Sequence, residues 1–262
     1  MINLETDQDR RAHMAVELAQ AGVEARVYPG FDYRKEGTEA LHAQCRPFGP
    51  WGVFHTQDMA CTISHAMAWE RFLETDLPYA LILEDDVFIS PELGQWLSDM
   101  SWWPEDADLV KIERWRSESL FVMLGVPGAT HLNRHLARLL SRHVGAAGYI
   151  LTRKAAETLL AQRPFDITVD NLLFNINASR VARRMKMYQV EPALVQQGNE
   201  PPQNGARPFT RHRPTGLTLW RQKLLRGYYE LAVPISTMRK ALTGKARKAR
   251  IRFVPIVMGA AD

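Results

Sequence analysis

An apolar run, Tyr79-Ala80-Leu81-Ile82-Leu83, passes without a spacer into three consecutive acids, Glu84-Asp85-Asp86. Five apolar residues bounded by Pro78 and by charge read as a strand covered on both faces. Such a strand belongs in a sheet flanked by helices, and the carboxyl edge of an open α/β sheet is where ligands bind. Side chains alternate along an extended chain, so Glu84 and Asp86 face one side and Asp85 the other. Three adjacent carboxylates raise one another's pKa unless positive charge sits among them. Two carboxylates at this spacing are hard oxygen ligands suited to Mn²⁺ or Mg²⁺, with phosphates completing the shell. A solvated acidic loop is the alternative. The strand before the acids and the helix-start signal Ser90-Pro91-Glu92 after them favour the ligand site.

The rest of the chain alternates strand and helix signals. Ile2-Asn3-Leu4 is a short apolar segment; Met14, Leu18 and Ala21 follow at helical spacing, with Gly22 as the stop; Ala25 to Tyr28 alternates as a strand. Residues 34–55, with Gly37, Pro47, Gly49, Pro50 and Gly52, read as a long loop, and Thr56 is placed to cap the helix carrying Met59, Ile63, Met67 and Leu73. Leu109 to Glu113 reads as a strand, Arg134 to His143 as a basic helix, and Ala146 to Leu151 as a buried strand ending at Thr152, the cap of the next helix. Asp170 enters an apolar helix, and Val190 to Val195 is a last strand interrupted at Pro192. The expected fold is α/β and Rossmann-like, a mostly parallel sheet flanked by helices with a basic helical tail at the C-terminus. A shift to Gly, Pro, Asn and Gln after Gln196 places a boundary near residue 205, dividing a 1–205 domain from a 206–262 tail.

Charge divides in the same place. Residues 206–262 hold 13 Lys and Arg against Glu230 and Asp262, a net +11, which leaves residues 1–205 at −7 within an overall +4. Apolar residues at 217, 220, 224, 228, 231, 235, 238 and 242 are spaced by threes and fours, with Arg221, Lys223, Arg226, Arg239 and Lys240 between them. This is a basic amphipathic pattern, read as two helices broken at Pro234, and the dense basic run from Lys245 to Arg252 extends it. Such segments lie on anionic membrane surfaces; a helical pair packed on the core with a solvated basic face is the competing reading. Nucleic acid is not expected as a partner, because the body is acidic and carries no nucleic-acid motif. Two cysteines, Cys45 and Cys61, are too few for a disulfide framework. With no secretory signal and no apolar span of membrane length, the expected setting is cytoplasmic, peripheral on the inner face of the cytoplasmic membrane.

Five segments in order carry a family resemblance. Leu81-Ile82-Leu83-Glu84-Asp85-Asp86-Val87 resembles the acidic motif of glycosyltransferase family 25, enzymes of lipopolysaccharide and lipooligosaccharide assembly. Ile2-Asn3-Leu4 with Asp9-Arg10 resembles its opening strand, and Cys61-Thr62-Ile63-Ser64-His65 its Gly-Cys-x-x-Ser-His block, with Ala60 where the family has Gly. Gly148 to Ala156 and Pro192-Ala193-Leu194-Val195-Gln196-Gln197 resemble its later blocks, so the resemblance covers about 1–200. It implies a GT-A fold, a UDP-sugar donor (most often UDP-galactose), a divalent cation, inversion at the anomeric carbon, and a glycan or glycolipid acceptor. On this resemblance Glu84 and Asp86 hold the cation, and Asp85 lies beside the donor ribose or sugar. Asn3, Leu4, Arg10, Ser64 and His65 are the further donor-site candidates. An acceptor hydroxyl must lose its proton to a carboxylate; Asp170 is the candidate base, with Asp166 and Glu113 in reserve. Against these stand plainer roles: Asp170 as a helix cap, Glu113 as the ion-pair partner of Arg114 or Arg116, Tyr149 as core rather than sugar platform. A catalytically inactive relative acting as a binding or scaffold protein is the alternative for the whole chain.

Overall fold

A computed structural model describes residues 1–115, 120–198, 215–231 and 235–255. A six-stranded sheet runs in the order Ala129–His131, Arg134–Arg138, Met187–Glu191, Leu109–Lys111, Gly148–Thr152, Tyr79–Leu83. The strand that leads into the three acids is thus at one edge of this sheet. Of the five pairings, that of Met187–Glu191 with Leu109–Lys111 is parallel and the other four are antiparallel. The mostly parallel sheet expected from sequence is corrected to a mixed, mainly antiparallel one. A parallel neighbour needs a crossover connection, usually a helix, and residues 112–147 supply strands and no helix among the described residues. Arg134–Arg138, expected within a helix, is one of those strands; Leu136 stands opposite Val190 in its register.

Helices do cover both faces. Alternation along the strands sends Leu109, Tyr149, Leu151 and Met187 toward Ile63, Ala156, Leu159 and Leu173 of helices Thr56–Leu73, Arg153–Leu160 and Val169–Phe174. Val110, Ile150 and Val190 face the other way, onto Met14 and Leu18 of helix Gln8–Gln20 and Leu93 and Trp96 of helix Leu93–Ser98. Thr152 caps its helix as expected, its hydroxyl accepting from the Ala155 amide. His55, not Thr56, is the residue before helix Thr56–Leu73, and residues 34–55 fold into short helices and a hairpin rather than an open loop.

A second sheet closes the acidic end. Val195–Gln197 pairs antiparallel with Val87–Ile89 and parallel with Glu113–Arg114. It approaches the central sheet so closely that a Cβ on Gly148 would stand 3.0 Å from Val195. The expected boundary near residue 205 and the break at Pro234 lie outside the described residues. Helices Gly216–Leu231 and Ile235–Leu242 form where the amphipathic pattern places them, and part of the basic run after them becomes strand Ala246–Ala249, paired with Val122–Gly125.

Candidate active site at the acidic strand end

The three acids divide as their alternation requires. Asp85 is buried and turned toward the N-terminal unit, accepting hydrogen bonds from Asn3 Nδ2 at 2.9 Å and from an Arg10 guanidinium nitrogen at 2.9 Å. Glu84 and Asp86 are half-buried and converge on Gln197, whose Nε2 lies 3.4 Å from Glu84 Oε2 and 3.1 Å from Asp86 Oδ2. Gln197 reaches them because its register partner is Val87, the residue after Asp86. Burial first, then repulsion from neighbouring carboxylates, pushes both Glu84 and Asp86 up to about 7.

Helix Gln8–Gln20 holds the segment from the other side. Arg10, His13 and Glu17, spaced three and four apart on one face, meet Asp85, the Val87 carbonyl at 2.9 Å and the Ile89 amide at 2.7 Å. Asn3 ties this helix in as well, donating to the Asp7 carbonyl at 3.1 Å. Leu4, half-buried, packs its side chain beside Gly30.

Helix Thr56–Leu73 contributes the remaining wall. His65 Nε2 lies 3.1 Å from Glu84 Oε1, and the Cys61 thiol, one turn earlier, points at the same oxygen from 3.8 Å. Desolvation and the Glu84 charge hold that thiol well above its ordinary pKa, so it is a donor here. Burial lowers His65 to about 3, leaving the imidazole neutral. Its Nδ1 is 2.8 Å from the Tyr149 hydroxyl, whose oxygen accepts from Trp69 Nε1 at 2.8 Å. Ser64 points away from the acids. Its hydroxyl donates to the Ala60 carbonyl and accepts from the Phe31 amide, both at 2.8 Å, stitching residue 31 to the helix.

Asp170 stands in the first turn of helix Val169–Phe174, where its Oδ1 accepts from the Thr168 hydroxyl and from Asn171 Nδ2. The Val169 amide beside it donates to the Thr62 hydroxyl at 3.0 Å, which holds this helix start against the stretch of helix Thr56–Leu73 that carries Cys61 and His65. Glu113 is buried and paired at 2.7 Å with Lys111, which also donates to the Gly145 carbonyl, rather than with the expected Arg114; Arg116, the other expected partner, lies outside the described residues. Asp166 is a separate matter, lying behind Gly49 and lining a cavity of about 850 Å³ with Arg46, Arg163 and Arg180. The structure therefore brings together Asn3, Arg10, His65, Glu84, Asp85, Asp86 and Asp170. The sequence gives no stated role to Gln197, Trp69 or His13, and Tyr149 reads as core; the available signals are the helical spacing of Arg10, His13 and Glu17 and the place of Gln197 at the end of the block from Pro192.

Does this donor set suit a divalent cation? Glu84 and Asp86 present hard oxygens on the same side, and the one group between them is a carboxamide. Gln197 Oε1 is itself buried with no hydrogen-bond partner among the described residues, so a turn of the amide that exchanges Nε2 for Oε1 would add a third hard oxygen. The residues fit.

Comparison with known proteins bears on the chemistry. The sequence model described as "Glycosyltransferase family 25 (LPS biosynthesis protein)" matches residues 1–173. The lacto-N-neotetraose biosynthesis glycosyltransferase LgtE of Neisseria gonorrhoeae is 29% identical over 205 residues, 75% of this chain and 72% of that protein. LgtB of the same organism is 30% identical over 206 residues, covering 75% and 73%. The lipooligosaccharide biosynthesis protein lic2B of Haemophilus influenzae is 27% identical over 213 residues, covering 76% and 75%. With a glycosyl-transfer family model spanning the acidic strand end, the Ser64-His65 block and Asp170, this chain belongs to glycosyltransferase family 25.

Proposed function

We propose that this glycosyltransferase is a cation-dependent, inverting hexosyltransferase, most simply a galactosyltransferase using UDP-galactose, that extends a cell-surface glycan on a GT-A-like scaffold. The observation that carries this reading is the convergence of Glu84 and Asp86 on one half-buried carboxamide at a strand's carboxyl end. Glu84 and Asp86 would hold Mn²⁺ or Mg²⁺, and the Gln197 oxygen would join them if its amide, which now turns Nε2 toward both carboxylates, rotated over. Bound there, the cation neutralises charge developing on the departing diphosphate as a Lewis acid.

The remaining steps fall to the protein's own side chains. Asp85, fixed by Asn3 and Arg10, would present its carboxylate edge to the donor's ribose or sugar hydroxyls, with Leu4 the residue after Asn3. Asp170 is the candidate general base. Thr168 and Asn171 orient its carboxylate, and an acceptor hydroxyl within ~3 Å would give up its proton there as it attacks the face opposite the diphosphate. The acceptor, a glycan or glycolipid, is met at the inner face of the cytoplasmic membrane by the apolar face of the two C-terminal helices.

A panel of UDP-sugars with Mn²⁺ or EDTA, read as UDP release from the full-length protein, tests donor and cation together. UDP-galactose should turn over with Mn²⁺ and stop with EDTA. Glu84→Gln or Asp86→Asn should lower turnover at least ~100-fold, the range for losing a group that stabilises developing charge. Absence of turnover with every donor would favour the inactive, binding-protein alternative. For the base, Asp170→Asn keeps the side chain's shape and helix position, so a drop of ~10²–10⁴ in turnover separates proton transfer from capping. Near wild-type turnover would remove Asp170 from the mechanism.

A further inference from the structure

Three side chains behind Glu84 form a chain whose proton positions are determined by exclusion. Trp69 Nε1 can only donate, and it donates to the Tyr149 oxygen. The Tyr149 hydroxyl proton then needs an acceptor; among the described residues the one within reach is His65 Nδ1, at 2.8 Å. An Nδ1 that accepts carries no proton, so in the neutral ring the proton is on Nε2, which faces Glu84 Oε1 at 3.1 Å. The opposite tautomer fails twice. It would aim two donors at the Tyr149 oxygen while leaving the phenol proton without a partner, and, wherever Glu84 is ionised to hold a cation, it would set the bare Nε2 lone pair against a carboxylate. Trp69 and Tyr149 are wholly enclosed and His65 nearly so, which denies all three a water partner.

We infer that Trp69, Tyr149 and His65 are positioning residues that lock His65 as an Nε2–H donor and thereby fix one oxygen of Glu84, leaving the other to face the cation. His65 and Cys61 donate to Oε1, while Oε2, the oxygen left for the cation, is met here by Gln197 Nε2 at 3.4 Å. The chain spans two elements that the fold presses together, helix Thr56–Leu73 carrying Trp69 and His65 on adjacent turns and strand Gly148–Thr152 carrying Tyr149. This also settles a competing use of the same atoms. Cys61, His65 and Glu84 offer a sulfur, a nitrogen and an oxygen within 4.8 Å of one another, a donor set for a thiophilic metal such as zinc. An Nε2 that carries a proton cannot ligate, so these atoms serve as donors to Glu84 instead.

The inference rests on Glu84 as a cation-holding residue, and two measurements keep the two ideas apart. The first is long-range ¹H–¹⁵N correlation of the imidazoles in the full-length wild-type protein, with His65 identified by its loss in His65→Gln. A neutral ring protonated at Nε2 is expected; a ring protonated at Nδ1, or at both nitrogens, overturns the relay and returns the zinc-type reading. The second is Mn²⁺ affinity by calorimetry, which needs no turnover. Tyr149→Phe and His65→Leu should weaken it ~10–100-fold, the usual cost of losing a group that orients a metal ligand. His65→Gln, whose amide N–H can occupy the place of Nε2–H, should recover most of that loss. Tyr149→Phe should also move the Trp69 indole N–H resonance. Wild-type Mn²⁺ affinity in His65→Leu overturns the positioning role. An Nε2-protonated His65 in a wild-type protein that binds no Mn²⁺ overturns the cation reading of Glu84 and leaves the hydrogen-bond chain standing.

Discussion

Glu84 and Asp86 are carboxylates whose charged forms the fold disfavours, and that sets a pH dependence of definite sign. Burial and mutual repulsion raise both to about 7, above the value an unfolded chain would give them. Between the ordinary carboxylate range and about 7, the native state binds more protons than the unfolded state, so these two groups cost stability progressively as pH rises through that window. A cation that requires both anions works in the opposite direction, since its affinity climbs as the protons leave and levels off above about 7. Thermal melts at about pH 5.5 and about pH 8 should therefore show a metal-free wild type that loses stability toward the higher pH relative to a variant lacking one of these carboxylates, since His65, kept neutral by burial, favours the higher pH in both. The Mn²⁺-induced rise in Tm should be larger at the higher pH. Asp86→Asn should flatten both trends. An equal Mn²⁺ shift at the two values would mean that some other group holds the ion.

At the scale of elements, what burial dictates was legible and what pairing dictates was not. The Tyr79–Leu83 strand, its acidic end, the Thr152 cap and the interruption at Pro192 all follow from local residue chemistry and stand in the structure. Strand direction does not, because a period of two reports which face is buried and says nothing of the neighbour. The Arg134–Arg138 strand is the instructive failure: a basic stretch with Leu136, Leu139 and Leu140 reads as a helix with a solvated face, yet Arg134 is fully enclosed. Its guanidinium donates to Glu92, to Ser90 Oγ and to the carbonyls of Pro192, Ala193 and Val254, partners scattered over the chain and invisible in any window. The same holds for Tyr149 and His65, 84 residues apart, where an apolar strand conceals a phenol that must find polar partners. Arg134→Met should thus be costly, about 3–5 kcal/mol for breaking a buried pair, or a Tm loss of roughly 6–20 °C. Arg138→Met, on the same strand but paired with Asp106 at the surface, should cost under ~1 kcal/mol. Similar denaturation midpoints for the two variants would show that Arg134 does not clamp these segments together.

At the scale of the molecule, the two C-terminal helices are built inside out. Helix Gly216–Leu231 rests on the Phe48–Val53 hairpin through Gln222, whose Oε1 accepts from the Val53 amide, through Arg226, which donates to the Trp51 carbonyl, and through Tyr229, ring to ring with Trp51. Thr237 and strand Ala246–Ala249 tie the following segment to the body. With the polar side turned inward, Leu217, Trp220, Leu224, Tyr228, Ile235, Met238 and Leu242 are 53–86% exposed. An outward apolar row of this length on consecutive helices is the mark of an interaction surface. Lys223, Arg239 and Lys240 lie beside it, which suits an anionic membrane over a second copy of an equally basic surface. No helix among the described residues is long and apolar enough to cross a membrane, so the contact expected is in the plane of the interface. Each inserted Leu or Ile contributes about 1.5–3 kcal/mol, and each Lys or Arg near an anionic surface about 1 kcal/mol. On this proposal apolar insertion would contribute more of the binding energy, and charge would supply the preference for anionic lipid. Since these helices are bonded into the body, the test uses the full chain: Leu217→Glu, Leu224→Glu, Ile235→Glu and Leu242→Glu together, against vesicles of phosphatidylglycerol and phosphatidylethanolamine or of phosphatidylcholine alone. Wild-type protein should sediment with the anionic vesicles and release partly in high salt, while the fourfold variant stays in solution yet turns over donor with a soluble acceptor at the wild-type rate. Neutralising Lys223, Arg239 and Lys240 to Gln should weaken binding less and abolish its salt sensitivity. Equal sedimentation of wild type and fourfold variant, or a wild-type dimer by analytical ultracentrifugation that the variant dissolves, would assign this face to something other than lipid.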